Sequence, residues 1–289
     1  MKNQIIPAIN LHLTKSCNMK CKYCFAKFNE TKNNYPYSDT IKLIVMLKEF
    51  GFEKINFVGG EPMLIKDIAN LIKITKQLGF YTSIVTNGSL ITENFLSQNH
   101  KYIDMIGLSI DSINSKTNKK IGRALKSKPM TGADYKKIID AINNHDIALK
   151  INTVVSSLNK NEDVFNIINY AKPLRWKVFQ VLKVTGENDK TFKSFEISDS
   201  SFSDFCRTQA KSLIFPKVLV KEENEIMKGS YLMVNPEGCF FDNVNGNYTV
   251  SEKIINAGIA KTLKQIQFDY SKFQKRDGHY YKQYNRLAS

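Results

Sequence analysis

Cys17-Asn-Met-Lys-Cys21-Lys-Tyr-Cys24-Phe25 stands directly after a strand-like run, Ala8 to Thr14, and its spacing governs how the rest of the chain is read. Three cysteines in eight residues place soft thiolate donors on one loop. Two cysteines separated by two residues suit zinc or an iron–sulfur cluster. A structural zinc site, however, closes a tetrahedron of four ligands, and no second Cys or His pair is near in sequence. Three thiolates suit a cubane in which each holds one iron and the fourth iron stays open to another ligand. The total of five cysteines is odd; Cys206 and Cys239 stand alone and read as bystanders, and metal ligation in a reducing compartment is expected before disulfides.

Outward from that loop, apolar or β-branched runs alternate with amphipathic ones. Strands are expected at Ala8 to Thr14, Lys54 to Val58, Tyr81 to Thr86, Ile103 to Ile110, Ile147 to Val154 and, opening at Arg175, Lys177 to Val184. Helices are expected from an N-cap at Ser38 to a C-terminal Gly51, between Lys66 and Gly79, at Thr92 to Gln98, Ala133 to Asn144, Asp163 to Ala171 and Ser201 to Ile214. Six strand-then-helix units imply parallel strands with helical crossovers, hence an α/β sheet or an incomplete barrel. After about Thr185 the alternation weakens, and the Tyr/Phe/Gly-rich tail reads as a cap closing over the barrel. The expectation is one structural unit, with a core at 1–185 and a C-terminal extension at 186–289.

A second motif, Gly59-Gly60-Glu61-Pro62, follows the second strand. Glycines there allow the backbone to approach a ligand closely, and both motifs fall at C-terminal strand ends, where α/β barrels place their chemistry. The alternative is a Gly-Gly turn stopped by proline beside a three-cysteine zinc site.

The 289 residues carry 42 Lys+Arg against 27 Asp+Glu, a formal charge of +15, so an anionic partner or a lysine-rich solubilising surface is expected. The strands sharpen this. With a side-chain period of two, Lys54 shares a face with Asn56, Lys150 with Asn152, Arg175 with Lys177 and Phe179, and Asn10 with His12. If those faces point into a barrel, they need an anion to pair with, and a triphosphate suits; otherwise the lysines sit at strand ends and snorkel to solvent. His12 alone reads as a packed, hydrogen-bonded residue. No apolar leader and no run near the ~20 residues of a membrane span is visible, so a cytoplasmic protein is expected.

The cysteine spacing with GGEP resembles the signature of radical S-adenosylmethionine enzymes. Further stretches resemble more narrowly the viperin family of nucleotide dehydratases: Asn10 to Phe25, Glu53 to Phe57, Ser83 to Ile91, Ile121-Gly122-Arg123, Lys150-Ile-Asn152, Arg175 to Gln180, Gly186-Glu187-Asn188, Ser230-Tyr231-Leu232 and Lys275 to Gly278. The resemblance implies a partial (β/α)6 barrel of the radical S-adenosylmethionine type with a C-terminal capping extension. It implies that Cys17, Cys21 and Cys24 hold a [4Fe-4S] cluster whose open iron chelates S-adenosylmethionine, with Gly59, Gly60, Glu61, Asn87, Ser109 and Phe25 lining the cofactor site.

A 5′-deoxyadenosyl radical would then take the 4′ hydrogen of a ribonucleoside triphosphate. Water would leave from C3′, and one more electron and a proton would give the 3′-deoxy-3′,4′-didehydro analogue, a chain terminator in antiviral, here phage, defence. Lys54, Lys150, Arg175, Lys177 and Arg276 would neutralise the triphosphate with Arg123 assisting, and Asn10 would touch base or sugar. Tyr231 would supply the final hydrogen, unless it is a core aromatic with a satisfied hydroxyl. The electron donor would be external, of the flavodoxin or ferredoxin type.

Three departures from the animal proteins matter. The chain starts near its first strand, so their membrane-lying extension and membrane association are expected to be absent. Their C-terminal tryptophan, used with iron–sulfur assembly partners, gives way to Asn285-Arg-Leu-Ala-Ser289, so that partner contact is not expected to carry over. Asn247 and Tyr248 stand where they have basic residues, which leaves base selectivity open, with CTP the first expectation and UTP or GTP as alternatives. The competing readings are a radical S-adenosylmethionine enzyme acting on RNA or a peptide, and a non-catalytic zinc protein; no nucleic-acid partner is expected under the first reading.

Overall fold

The computed structural model describes residues 5–32 and 34–284, so the expectation for Asn285 to Ser289 lies outside the described residues. The six expected strands are β1 (Ala8–His12), β2 (Lys54–Val58), β3 (Tyr81–Thr86), β4 (Met105–Ser109), β7 (Ala148–Val155) and β8 (Arg175–Gln180). They lie side by side, all parallel, in chain order. Between β4 and β7 the chain makes a two-residue hairpin, β5 (Ala124–Leu125) with β6 (Lys128–Pro129).

Parallel neighbours need crossovers, supplied by α1 (Tyr37–Phe50), α2 (Ile68–Gln77), α3 (Glu93–Asn99), α4 (Ser115–Ile121) with α5 (Gly132–Asn143), and α6 (Phe165–Ala171). Gly51 ends α1 in the left-handed region at φ 103°, as its position suggests. Ser38 is not the cap: α1 begins at Tyr37 behind Pro36, and no side chain caps it. Thr131 and Asp134 close a reciprocal capping box at the start of α5.

Alternation along the strands sorts two chemistries onto two faces. Ile9, Leu11, Ile55, Phe57, Ile84, Ile106, Leu108, Leu149, Ile151, Trp176 and Val178 form the continuous core beneath the helices. Asn10, His12, Lys54, Asn56, Ser83, Lys150, Asn152, Arg175 and Lys177 occupy the alternate positions and face the concave side. A parallel sheet covered on both faces is ordinarily apolar throughout, so this polar inner face marks where the fold departs from packing for function.

The barrel does not close. The strands form an open ten-stranded sheet, β12-β11-β10-β1-β2-β3-β4-β7-β8-β9. Segments beyond residue 185 extend both edges: β9 (Leu219–Glu222) pairs parallel with β8, and β10 (Leu232–Val234) pairs parallel with β1. β11 (Cys239–Asp242) and β12 (Thr249–Lys253) follow antiparallel. The extension thus also widens the sheet, which was not expected from the sequence, and Tyr280 and Tyr281 close the opposite end, packing with Tyr81, Met105, Ala8 and Ala148 at the N-terminal ends of the strands. Strands of three to five residues carry too little alternation to announce themselves. Among the described residues, no helix is long and apolar enough to cross a membrane.

Candidate active site

The cysteine loop is clamped by backbone. Gly60 N–H donates to Thr14 O at 2.6 Å and Glu61 N–H to Ser16 O at 2.8 Å, while Lys20 and Lys22 N–H donate to the Gly122 and Ile121 carbonyls. A Cβ on Gly60 would lie 2.2 Å from Ser16 O, and one on Gly122, at φ +93°, 2.1 Å from Lys20 O. Both glycines are therefore required by contact with the cysteine loop. Cys17, Cys21 and Cys24 are free and half-buried.

Glu61 is buried, and its carboxylate accepts from Thr86 Oγ1 (2.7 Å), Asn87 N (2.8 Å) and Met63 N (3.2 Å). The side chain thus ties the β2 turn to the β3 turn. Asn87 Nδ2 donates to Asn18 Oδ1 at 2.8 Å and lies 4.0 Å from Cys17 Sγ, fixing the loop from its other flank. Ser109 ends β4, half-buried, in register with Asn152. Phe25 is 38% exposed, and its carbonyl accepts the Tyr248 hydroxyl.

Arg123 is not brought to the other cations. It lies beneath the cysteine loop, where Nε donates to Asp111 Oδ2 at 2.8 Å, a second guanidinium nitrogen bonds the same oxygen, and Tyr23 donates to it as well. Burial opposes its charge, but Asp111 more than compensates and holds the guanidinium firmly protonated.

The remaining five cations meet at the N-terminal ends of the strands, all at most 6% exposed, which overturns the snorkelling alternative. Lys54 Nζ donates to Tyr280 OH at 2.9 Å and sits 4.4 to 5.0 Å from the ring centres of Tyr81, Tyr280 and Tyr281. Tyr280 also reaches Lys150, and Arg175 stacks on it at 4.5 Å. Lys177 lies 2.5 Å from Glu222 and 3.0 Å from Tyr231 OH, and Arg276 stacks on the Tyr231 ring at 3.7 Å. Two carboxylates touch this group, buried Glu222 and the half-exposed Asp277, which accepts from Arg175 at 2.6 Å. Burial, helped by Arg276 and Arg175, lowers Lys54 to about 7; burial also lowers Lys150 and Lys177. The Tyr231 hydroxyl is satisfied, donating to Glu222.

Between pit and cysteine loop runs an amide ladder: Ser83 Oγ donates to Asn56 Oδ1 (2.7 Å), and Asn56 Nδ2 donates to Asn10 Oδ1 (2.9 Å). His12 contradicts its expected role, because neither ring nitrogen has a hydrogen-bond partner among the described residues.

Residues 11–196 match the Radical SAM superfamily. The chain is 45% identical over 284 residues to the S-adenosylmethionine-dependent nucleotide dehydratase of Flammeovirga pacifica, covering 96% of this chain and 97% of the relative. It is 43% identical to the protein of the same name from Lacinutrix mariniflava, covering 95% of this chain and 58% of that one. The fold is similar to Streptococcus suis SuiB bound to S-adenosylmethionine, with a TM-score of 0.62 at 19% identity over 81% of this chain and 59% of SuiB. The chain belongs to the radical S-adenosylmethionine superfamily, in its nucleotide dehydratase (viperin) family. It is an enzyme whose cofactors are S-adenosylmethionine and a [4Fe-4S] cluster.

The donor set fits that cluster. Cys17, Cys21 and Cys24 are free thiols on one loop, and three thiolates can each take a different iron of a cubane while the fourth iron stays open. Burial raises all three thiols, Cys21 to about 11 and Cys24 to about 12. Their thiolate form therefore depends on the bound metal. In this dehydratase, reading from residues alone missed Asp111, Glu222, Tyr280 and Asn56. Asn56 was visible as the partner of Lys54 in the period of two; the acids and Tyr280 gain meaning only from residues 12 to 226 positions away in the chain.

Proposed function

We propose that the substrate is a ribonucleoside triphosphate, CTP first with UTP or GTP as alternatives, converted to its 3′-deoxy-3′,4′-didehydro analogue. One observation carries this reading: five buried cations face two carboxylates on a concave surface leading to the cysteine loop. In a low-dielectric interior such an excess holds the lysines below their ordinary range and favours an anionic ligand that restores their charge. Lys54, Lys150, Arg175, Lys177 and Arg276 bind the triphosphate. Asn10, Asn56 and Ser83 lie along the path of the sugar. Gly59 and Gly60 present backbone to S-adenosylmethionine beside Glu61, Asn87, Ser109 and Phe25, and Cys17, Cys21 and Cys24 hold the cluster.

Held by Cys17, Cys21 and Cys24 and by the GGEP turn, the cluster and S-adenosylmethionine would supply the radical chemistry that opens the reaction at the 4′ position. Tyr231 returns the last hydrogen in this reading, supported by its contacts with Lys177, Arg276 and Glu222, which accepts from its hydroxyl. Arg123 supports the cysteine loop through Asp111, a role different from assisting the triphosphate. Residues 1–185 form the core and 186–289 an extension that closes the site from below. We place the enzyme in the cytoplasm in phage defence, fed by a flavodoxin- or ferredoxin-type donor.

The test is anaerobic incubation of reconstituted, reduced enzyme with S-adenosylmethionine and each nucleoside triphosphate. Release of 5′-deoxyadenosine with CTP above the other three is expected. No release with any of the four, or release that requires RNA or a peptide, overturns the reading.

A further inference from the structure

His12 lies on the concave face of β1, on the same side as Asn10 and nearer the cysteine loop. It is 3% exposed, and neither nitrogen has a partner among the described residues. Unpartnered burial keeps the imidazole neutral, lowering it to about 3. A neutral imidazole offers one donor and one acceptor, and leaving such groups unmade in an interior costs about 1–3 kcal/mol each. An apolar ring at this position would avoid that penalty, so packing does not explain a histidine.

The walls around it are flat rings. Phe28, Phe241 and Phe25 stand edge-on to the imidazole at 4.9, 5.4 and 6.3 Å, and Tyr248 abuts Phe241 at 4.9 Å. An apolar aromatic lining with one unsatisfied hydrogen-bonding group suits a heterocycle whose edge is read. The cation pit lies toward the opposite end of the same concave face, so a nucleotide anchored there by its phosphates can direct its base toward β1, β10 and β11.

We propose that His12 is a nucleobase-reading residue, its unpartnered imidazole hydrogen-bonding the base edge beside the aromatic cluster of Phe28, Phe241 and Tyr248. The assignment rests on the nucleotide reading above.

The test compares reconstituted wild-type enzyme with His12→Phe and His12→Asn, using CTP and inorganic triphosphate as probes. Without nucleotide, His12→Phe should unfold at the same temperature as wild type or higher, because the ring still fills the nest and the orphaned nitrogens are gone. Its CTP-induced rise in melting temperature should shrink at equal CTP, and its KM for CTP should rise about tenfold to hundredfold, the worth of one or two buried hydrogen bonds. Inorganic triphosphate should bind within about twofold of wild type, and His12→Asn should recover part of the CTP affinity. Equal CTP binding by wild type and His12→Phe overturns the assignment alone. Lower nucleotide-free melting in both variants with KM unchanged also overturns it, marking a packing residue. A wild-type enzyme that binds neither probe overturns the nucleotide reading as well.

Discussion

Lys177 Nζ lies 2.5 Å from Glu222 Oε1, with the two side chains 4% and 0% exposed, and the other Glu222 oxygen accepts the Tyr231 hydroxyl. Burial would raise this carboxyl, but Lys177 and Arg276 pull it below the ordinary range. Glu222 is thus the interior counter-charge of the cation pit, and removing it leaves Lys177 and Arg276 facing each other. Breaking a buried pair by deleting one partner costs about 3–5 kcal/mol. Glu222→Gln should lose stability on that scale in denaturant unfolding, and inorganic triphosphate should stabilise the variant more than wild type. A variant as stable as wild type would show that the pit is not held by this pair.

Triphosphate binding should depend on pH through Lys54. Its folded value is lowered to about 7 from an ordinary 10.5, so above pH 7 the free enzyme carries it neutral, whereas a bound polyanion draws the proton back. The sign follows: proton uptake accompanies binding above pH 7, and affinity falls as pH rises, by up to about tenfold per unit for one proton. Calorimetry of inorganic triphosphate at pH 8 in buffers of different ionisation heat measures the uptake; none, or a release, contradicts the argument. The same group makes the free protein's stability rise with pH between about 7 and 10.5, since the unfolded chain holds the proton more tightly there.

Arg123 and the pit cations should separate in experiment. Arg123→Ala strands the fully buried Asp111 beneath the cysteine loop, with an expected loss of about 3–5 kcal/mol. Iron and sulfide content per chain should fall, while inorganic triphosphate affinity in whatever folded protein remains should stay within about twofold. A large loss of triphosphate affinity with normal cluster content would return Arg123 to the substrate.

Gly60→Ala probes the clamp between GGEP and the cysteine loop. The added methyl would meet Ser16 carbonyl at 2.2 Å, a backbone contact that cannot swing away. The loop must shift, and the brown absorption of the reconstituted cluster should be reduced even where circular dichroism shows the fold intact. Full cluster occupancy in Gly60→Ala would mean that the clamp is looser than its geometry.

The parallel core was legible because its signals are local. Lys54–Val58 and Tyr81–Thr86 appear with their expected bounds, as the runs that feed the two central crossovers. The polar inner face was legible too, since a period of two puts Lys54 with Asn56 and Lys150 with Asn152 whatever the tertiary fold. What failed depends on partners distant in the chain. Nothing near Arg123 distinguishes a triphosphate ligand from an Asp111 partner, and nothing near His12 announces that both nitrogens stay unpaired. The tail's strands were not legible because Leu232–Val234 has three residues and becomes a strand only when β1 offers its edge, while Tyr280 and Tyr281 form a floor only after the barrel exists to be plugged.

That floor is itself testable. Tyr280 holds Lys54 by its hydroxyl and lies under Lys54 and Arg175 by its ring, so it both satisfies and desolvates the pit from below. Tyr280→Phe removes the hydroxyl's hydrogen bonds to Lys54 and Lys150, about 1.5–3 kcal/mol for each that is charged, and keeps the ring and its exclusion of water. Tyr280→Ala removes the ring as well and admits water, which restores the charged form of Lys54 toward its ordinary range. The two variants should therefore part in their pH dependence. Triphosphate affinity in Tyr280→Phe should still fall above about pH 7, whereas in Tyr280→Ala the fall should move to higher pH and the overall affinity should weaken through screening. Isothermal titration between pH 6.5 and 9 resolves the two curves. Identical profiles in both variants and wild type would mean that the depth of the pit, and not the tyrosine floor, sets the state of Lys54.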